Sequence, residues 1–415
     1  MNRLARYGIL AISVLIVGWV GIGHVLGRTT NDGNAYKSLV VYSEVLQKIQ
    51  NDYVDEPNMH LVTTGSLRGL LESLDSESSY LTPREYAEYK EKAANPGTGE
   101  TGLNLSKRSW YVVVTSVLPD SPADKAGLRS GEFLESIAGF TTREMSVGQA
   151  KNLLAGQPGT AVKVGVIRRG RTDPEEVEIV RQKLAAPKLM IQKVDNDTLA
   201  LRFPTLDVGR ADELRGHLLE AQKQGVSHII LDVRDCGRGE DSEALAIARL
   251  FVSSGNLTTL KGQTVAAQDF PADPAKVVWK GPVSVLVDVT TTGAGEVLAS
   301  AFANTKRGEL VGERTFGLAS EQKLIPLADG AAMVMTVANY YNSDGKSILE
   351  EGVAPTDVVR ASNANDDGED GDDAAAAAGP QKEPPPGPKP LSADDPVLRK
   401  ALELFHAPTA AKKAA

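Results

Sequence analysis

The sequence predicts an α/β protein whose core follows a helical segment and a small β-rich domain. In residues 187–360, short apolar runs alternate with amphipathic runs, which is typical of strands that alternate with helices in a partly parallel sheet. Before residue 95, apolar residues recur at helical spacing instead. The length of 415 residues is sufficient for two or three such domains.

Composition excludes several classes of protein. Hydrophobic residues make up 41% of the chain and charged residues 24%, as in an ordinary globular protein. The formal net charge of -9 argues against nucleic acid as a partner. The single cysteine rules out a disulfide bond within the chain.

The N-terminus carries a candidate membrane segment. Arg3 and Arg6 precede an apolar run of 20 residues, Tyr7–Leu26, which is long enough to span a bilayer. Positive charge before the run predicts that the rest of the chain lies outside the cytoplasm. We therefore predict a signal anchor at residues 1–28, in the inner membrane, with a periplasmic body. A cleaved signal peptide is the alternative, although no Ala-x-Ala site follows.

Residues 36–95 form a predicted N-terminal helical segment that we interpret as a cap on the main domain. The apolar positions at helical spacing are Leu39, Tyr42, Val45, Leu46, Ile49, Leu67, Leu70, Leu71 and Leu74. Residues 74–81 are predicted to be a loop. Thr82 is the expected N-cap of a further helix that begins at Pro83.

Residues 97–184 resemble a PDZ domain in the order of their strands, short helix and glycine turns. Gly102, Leu103, Asn104 and Leu105 occupy the position of the loop that binds a peptide carboxylate in such domains. A loop of this kind adds a peptide as an extra strand and caps its C-terminus with backbone N–H groups. The alternative is a PDZ domain that packs on its own protein and binds nothing.

The chain is organised around the segment 285–322. A hydrophobic strand enters a turn of small residues, a helix follows, and a Gly-rich loop ends the unit. Such a turn leaves backbone N–H groups unpaired at the helix N-terminus, where they suit an oxyanion or a carboxylate.

This segment resembles the S41 family, the C-terminal processing (tail-specific) serine peptidases, and the resemblance implies a crotonase-like α/β core. The family's turn, typically Gly-Ser-Ala-Ser-Ala-Ser-Glu, places its nucleophilic Ser where this chain has Gly293. The family's Lys base, in Thr-Phe-Gly-Lys-Gly, corresponds to Leu318, and the following Gln is kept as Gln322. The spacing of 25 residues between the first two positions is also kept. The resemblance therefore implies a homologue that has lost its catalytic activity.

The resemblance also implies an oxyanion hole made of backbone N–H groups. One group belongs to Ala294, directly after the nucleophile position. The other lies in a loop that reads Asp232-Val-Arg-Asp-Cys-Gly-Arg-Gly239, where Arg238 replaces a family Gly and Gly239 is retained. Asp232 and Arg234 are expected to be a structural pair that orients this loop.

Displaced catalytic groups are the alternative. Thr291, Thr292 or Ser320 could supply a hydroxyl, with Lys323 as the base. Cys236 could supply a thiol, but His228 lies eight residues back on an extended strand, too far to act as its base. Glu296 is expected to cap the helix N-terminus and to do nothing more. The scattered histidines have no metal-ligand spacing, so we expect neither a metal nor a cofactor.

The C-terminal region changes in composition. Residues 361–392 are rich in Asp, Ala and Pro and are predicted to be a disordered linker. Residues 393–406 read as a short capped amphipathic helix that docks on the core or on a partner subunit.

These patterns together predict a membrane-anchored S41 homologue without peptidase activity that binds protein C-termini as a scaffold or regulator. Its expected partners are protein or peptide C-termini, an active S41 relative or a second copy of itself, and the membrane. An active serine-type endopeptidase with displaced groups and a purely structural envelope protein are the alternatives.

Overall fold

A computed structural model describes residues 32–95, 98–108, 110–143, 145–360, 391–392 and 394–406. Its contacts divide the chain into two compact units, Met1–Ser66 and Leu67–Ala415. The predicted anchor at residues 1–28 and nearly all of the predicted linker lie outside the described residues. Within those residues, none of the helices combines the length and the apolar character needed to cross a bilayer.

The first unit is helical, as the sequence predicts. It contains α1 (Asp32–Asp52), and α2 (Met59–Glu72) begins in it and ends in the second unit. The Tyr42 and Ser66 hydroxyls are hydrogen-bonded at 2.5 Å. Several of its apolar side chains are at least half exposed, among them Leu39 at 64% and Val45 at 50%.

The connection after α2 differs from the predicted loop at its end. Ser79–Leu81 forms a short strand, β1, which pairs antiparallel with a strand of the core. Helix α3 (Pro83–Ala94) then begins with Thr82 as its N-cap, as predicted, in a reciprocal capping box with Glu85. The loop prediction was wrong for residues 79–81 because their partner strand is distant in sequence.

The β-rich domain forms one antiparallel sheet in the order β2-β3-β4-β6-β7, with β5 on β4. Its strands are β2 (Leu103–Arg108), β3 (Tyr111–Val117), β4 (Phe133–Ile137), β5 (Phe140–Thr141), β6 (Ala161–Ile167) and β7 (Glu175–Val180). Its helices are α4 (Pro122–Lys125) and α5 (Val147–Leu154), with N-caps at Ser121 and Ser146. Strand β2 is an edge strand, and α5 lies beside it over a core of valines and leucines.

The core is built on a six-stranded sheet in the order β17-β14-β13-β10-β9-β8, in which only β8 is antiparallel. Its strands are β8 (Met190–Lys193), β9 (Thr198–Arg202), β10 (His228–Asp232), β13 (Val283–Val287), β14 (Glu309–Gly312) and β17 (Asp357–Val358). The central strands read as nearly continuous apolar runs because both faces of the sheet are covered.

A second sheet contains β1, β11 (Asn256–Lys261), β12 (Gln268–Pro271), β15 (Ser320–Pro326) and β16 (Ala332–Tyr341). The 10-residue strand β16 pairs with β1, β11 and β15, so it joins these three strands in one layer.

Helices cover the two faces of the parallel sheet. Helices α6 (Arg210–Lys223), α7 (Asp241–Arg249) and α8 (Ala294–Thr305) pack on the face that carries Leu231 and Val285. The C-terminal helix α9 (Pro396–His406) covers the opposite face, where Val397, Leu398 and Ala401 contact Ile230, Leu286 and Val311. The C-terminal helix therefore docks on the core, which is one of the two positions predicted for it.

Candidate active site and peptide-binding groove

Three loops meet where neighbouring parallel strands end. Strand β10 leads into the loop 232–239, β13 leads into the turn 288–293, and β14 leads into the loop 313–319. The carboxyl edge of a parallel sheet is the usual place for a ligand site, because the strand ends and helix N-termini converge there. All the sequence-predicted catalytic positions lie on these loops or directly after them.

The turn after β13 is held to the loop after β10 by three hydrogen bonds. Asp235 N donates to Thr290 Oγ1 at 2.8 Å, and Thr292 N donates to Cys236 O at 3.1 Å. Thr291 Oγ1 donates to Val233 O at 3.0 Å. The backbone of this turn is thus fixed, and the residue at its end, Gly293, carries no side chain.

Gly293 occupies the nucleophile position at the end of this turn. Its φ of 53° and ψ of -120° form a conformation that side chains adopt only under strain. A Cβ built on Gly293 would meet no heavy atom within 4 Å. The position therefore has open space in front of it and the tight geometry of a strand-to-helix turn.

Ala294 begins helix α8, so its backbone N–H is one of the unpaired donors of a helix N-terminus. Within the described part of the chain, no acceptor lies at hydrogen-bonding distance from this N–H. One donor of the predicted oxyanion hole is therefore available.

The Glu296 carboxylate joins the turn to the loop after β14. It caps α8 by accepting from Gly293 N at 3.0 Å, as expected. It also accepts from Thr315 Oγ1 at 2.6 Å and from three backbone N–H groups, those of Gly317, Leu318 and Ala319, at 2.6–3.0 Å. The prediction that Glu296 only caps the helix was wrong, since four of its five donors come from another loop.

The environment of Glu296 also changes its acidity. Burial raises the pKa of this carboxyl to about 7, while the hydrogen bonds from Thr315, Leu318, Gly317 and Gly293 oppose the rise. The side chain is fully buried, so its proton state decides whether five donors face a charged acceptor.

Leu318 and Gly293 come together as the family resemblance implies. Glu296 Oε2 accepts from both backbone nitrogens, so these nitrogens lie within about 6 Å of each other. Leu318 is half-buried and carries no titratable group. Gln322 follows on β15, where it lines a cavity beside α5.

The loop after β10 depends on a buried ion pair. Arg234 Nε and Nη2 each donate to Asp232 at 2.9 Å, and Arg234 Nη2 also donates to Asp395, directly before α9, at 2.7 Å. Burial alone would raise the pKa of Asp232, but Arg234 and Arg202 hold it below its usual value. The predicted role of Asp232 and Arg234 in orienting this loop agrees with these contacts.

Arg238 and Gly239 lie beside Leu206. The Arg238 carbonyl and the Glu240 N–H pair with Leu206, and the Arg238 guanidinium contacts Glu100 at 2.8 Å. The loop residues whose backbone atoms contact the turn are Val233, Asp235 and Cys236. The assignment of Arg238 and Gly239 to the oxyanion hole stays a prediction.

The candidate displaced nucleophiles are engaged elsewhere or buried. Cys236 is fully buried, and burial raises the pKa of its thiol to about 12. Thr291 Oγ1 is bonded to a carbonyl, and Ser320 Oγ donates to Leu318 O at 3.2 Å. Across the described residues, no lysine or histidine nitrogen makes a hydrogen bond to Thr291, Thr292, Ser320 or Cys236. His228 instead stacks on Phe405, with ring centroids 4.7 Å apart.

Comparison with known proteins identifies both domains. Residues 197–359 match the profile of peptidase family S41, and residues 113–168 match that of a PDZ domain. The chain contains an S41 peptidase domain and a PDZ domain. The sequence-based recognition of both is confirmed.

Relatives align over most of their length. A carboxy-terminal-processing protease of Bartonella bacilliformis is 26% identical over 336 residues, covering 80% of this chain and 77% of that protein. A chloroplastic C-terminal processing peptidase of Tetradesmus obliquus is 28% identical over 328 residues, covering 74% and 70%. A solved photosystem II D1 C-terminal processing protease has a TM-score of 0.64 at 24% identity, covering 77% of this chain and 92% of that chain, which supports the fold.

The PDZ domain packs on the loop that precedes the S41 turn. Ser130 Oγ donates to Asp235 Oδ1 at 3.0 Å. A Cβ on Gly237 would lie 2.2 Å from Ser116 Oγ, so only a glycine permits this approach. The predicted carboxylate loop is half-buried here: Asn104 donates to Ser116, and Gly102, with φ of 88°, packs on Ser121.

A cavity of about 470 Å³ lies between the PDZ helix α5, helix α3 and the second sheet of the S41 domain. Its lining combines charged, polar and apolar side chains, among them Glu77, Tyr89, Lys92, Val147, Lys151 and Gln322. This volume falls within the usual range of ligand pockets.

Among the described residues, the fold brings together one group of candidate metal ligands that are not close in the sequence. Ligand atoms of Asp195, Asp197 and His406 lie within 4.8 Å of one another. Asp195 also accepts from the backbone of Asp197 and Thr198, which is an ordinary turn. Sequence spacing did not indicate this grouping because His406 belongs to the C-terminal helix.

Proposed function

We propose that this chain is an S41 homologue without peptidase activity that binds protein C-termini outside the cytoplasm and acts as a scaffold or regulator. One observation carries the proposal. The turn and the loop keep the family's spacing and are joined through Glu296, yet the nucleophile and base positions are Gly293 and Leu318. Removing both nucleophile and base leaves no route to an acyl-enzyme.

Displaced catalytic residues are a poorer account of the same site. A hydroxyl nucleophile needs a base within hydrogen-bonding reach. The contacts of Thr291 and Ser320 go to backbone carbonyls, and Cys236 is buried with a raised thiol pKa. The retained Ala294 N–H still suits an oxyanion, so an active endopeptidase is the second candidate.

Binding of C-termini is supported by the PDZ domain and by the names of the relatives, which refer to carboxy-terminal processing. A PDZ edge strand and a cavity that reaches Gln322 suit a peptide end. The protein that such a homologue would serve is an active S41 relative or a second copy of itself.

The proposed location rests on the first residues of the sequence. Arg3 and Arg6 before the apolar run 7–26 support a single-pass anchor with the body in the periplasm. Alkaline carbonate extraction of membranes, followed by protease treatment of intact and opened spheroplasts, tests this placement. Release by carbonate, or protection of the body in intact spheroplasts with degradation in opened ones, would contradict it.

The test of function separates binding from cleavage in one sample. The full chain is titrated against fluorescein-labelled decapeptides that end in Ala, Val, Leu or Phe, as free acids and as C-terminal amides. We expect saturable binding of at least one free acid, about tenfold or more weaker for its amide because a charge-assisted contact is lost. Mass spectrometry of the same sample should show intact peptide. Equal binding of acid and amide, or no binding at all, would contradict the proposal.

A further inference from the structure

A short segment of the chain contacts both walls of the PDZ groove. We call residues 75–79 the strap; they connect helix α2 to strand β1. On the β2 side, Ser106 Oγ is hydrogen-bonded to Glu77 Oε1 at 2.9 Å. On the α5 side, Lys151 Nζ lies 3.7 Å from Glu77 Oε2, and a Cβ on Gly148 would lie 3.7 Å from Ser79. The strap therefore lies where a peptide would enter between β2 and α5.

The strap is held in its bend by local hydrogen bonds. Asp75 Oδ1 accepts from Glu77 N at 2.9 Å and from Ser78 N at 2.6 Å. Ser78 Oγ accepts from Thr336 N of the S41 domain at 3.2 Å. The segment is thus fixed independently of the groove, and Glu77 is its one side chain that reaches both groove walls.

Glu77 places a carboxylate in a mostly buried position. Its side chain is about nine-tenths buried, and Ser106 is fully buried. A buried carboxylate is unfavourable unless donors and a positive charge compensate it. Ser106 and Lys151 supply these two elements, so they form a ready site for a carboxylate.

The cavity continues from this carboxylate. Glu77 and Lys151 lie in its lining together with the apolar Val147 and Val334. A peptide whose last carboxylate replaced that of Glu77 could extend its side chains into this space. The chemistry of such a ligand is a chain end with a free carboxylate and an apolar side chain next to it.

We propose that Ser106 and Lys151, rather than the predicted loop Gly102–Leu105, are the carboxylate subsite of the groove, and that Glu77 occupies this subsite until a protein C-terminus displaces it. The inference rests on the proposed function, because it assigns the residues and the regulation of the same peptide binding. The strap then lowers the apparent affinity by the fraction of molecules in which it occupies the subsite.

The test compares variants of the full chain with the labelled free-acid decapeptides described above. Glu77→Ala should bind about tenfold more tightly than the wild type, and Glu77→Gln should lie between them because it loses only the charge. In the Glu77→Ala background, Ser106→Ala and Lys151→Met should each weaken binding about tenfold. Glu72→Ala is the matched control, since Glu72 pairs with Lys107 at 2.9 Å beside the strap; its affinity should stay within about twofold of the wild type.

Each outcome bears on a defined claim. Unchanged or weaker binding by Glu77→Ala and Glu77→Gln, with native circular dichroism, overturns the inference while leaving wild-type peptide binding in place. Tighter binding by Glu77→Ala that Ser106→Ala and Lys151→Met do not reverse overturns the assignment of the subsite. If the wild type and every variant fail to bind any free acid, the proposed function itself is wrong.

Discussion

The turn at Gly293 and the PDZ groove are both peptide sites in form, yet they differ in what they contain. The turn retains a fixed backbone and an available Ala294 N–H, but open space where a nucleophile would be. The groove retains charged and polar side chains in contact, with Glu77, Ser106 and Lys151 within reach of one another. The turn therefore has no side chain at the family's nucleophile position, whereas the groove has polar side chains in mutual contact.

This difference indicates which part of each site the fold needs. At the turn, the loop geometry depends on Glu296 and backbone donors, so a nucleophile can be absent without loss of the structure. In the groove, the side chains themselves form the site. Substitutions in the turn and substitutions in the groove should therefore have separate effects.

The largest effect is expected from removing the carboxylate that supports the turn. Glu296→Ala leaves five donors without their acceptor, including Gly293 N and Leu318 N. We expect the free energy of unfolding to fall by about 3–4 kcal/mol, measured by urea denaturation. Glu321→Ala, an exposed neighbour on β15, should change it by less than about 0.5 kcal/mol. A small effect of Glu296→Ala would mean that side chains other than Glu296 hold this loop.

Placing the family's Ser and Lys at positions 293 and 318 tests the turn more sharply. Gly293→Ser with Leu318→Lys should raise cleavage of an unfolded substrate about a hundredfold over either single variant. The open space at Gly293 accommodates the hydroxymethyl group, and the left-handed φ makes the Ser strained by on the order of 1–3 kcal/mol. Lys alone, in Leu318→Lys, is the matched control. A folded double variant without activity would show that the retained backbone is insufficient.

A smaller effect tests whether the loop after β10 depends on the C-terminal helix. Asp395 caps α9 through Val397 N at 2.9 Å and contacts Arg234. Asp395→Ala should lower stability by about 1–2 kcal/mol and speed amide exchange in α9. Asp394→Ala, its exposed neighbour, should do neither. Equal exchange in the two variants would show that packing alone holds the helix.

A more gradual effect concerns pH. Because the pKa of Glu296 is raised to about 7 in the folded state, folding takes up a proton between about pH 4.5 and 7. The contribution of Glu296 to the free energy of unfolding should therefore decrease as pH rises through this window and stay constant above it. The slope cannot exceed about 1.4 kcal/mol per pH unit. Denaturation of the wild type and Glu296→Gln from pH 5 to 8 measures it, and a difference that grows with pH would contradict the raised pKa.

Much of the fold could be predicted from the sequence, because local pattern and final structure agree there. The apolar runs at Val283 and His228 became buried parallel strands, and Thr82 capped its helix. Strand β15 (Ser320–Pro326) was missed because its side chains are polar or half-exposed, so its pairing with β16 leaves little trace in the sequence.

The sequence predicted which residues occupy the candidate site, but it did not predict the hydrogen bonds between them. The spacing of Gly293 and Leu318 could be read directly, whereas the five bonds of Glu296 depend on a loop that folds back over the turn. The contacts of Glu77 could not be predicted from the sequence either, because Ser106 and Lys151 lie far from it along the chain. Contacts of this kind follow from packing between distant segments, which residue patterns do not encode.

The most direct measurement of the central claim is whether the purified full chain breaks a peptide bond. Wild type, Thr292→Ala and Ser320→Ala are each incubated with unfolded proteins bearing free C-termini, and new termini are counted by mass spectrometry. The account predicts no cleavage by any of the three above a buffer control, in samples where the peptide is bound. Cleavage by the wild type that either substitution abolishes would contradict it.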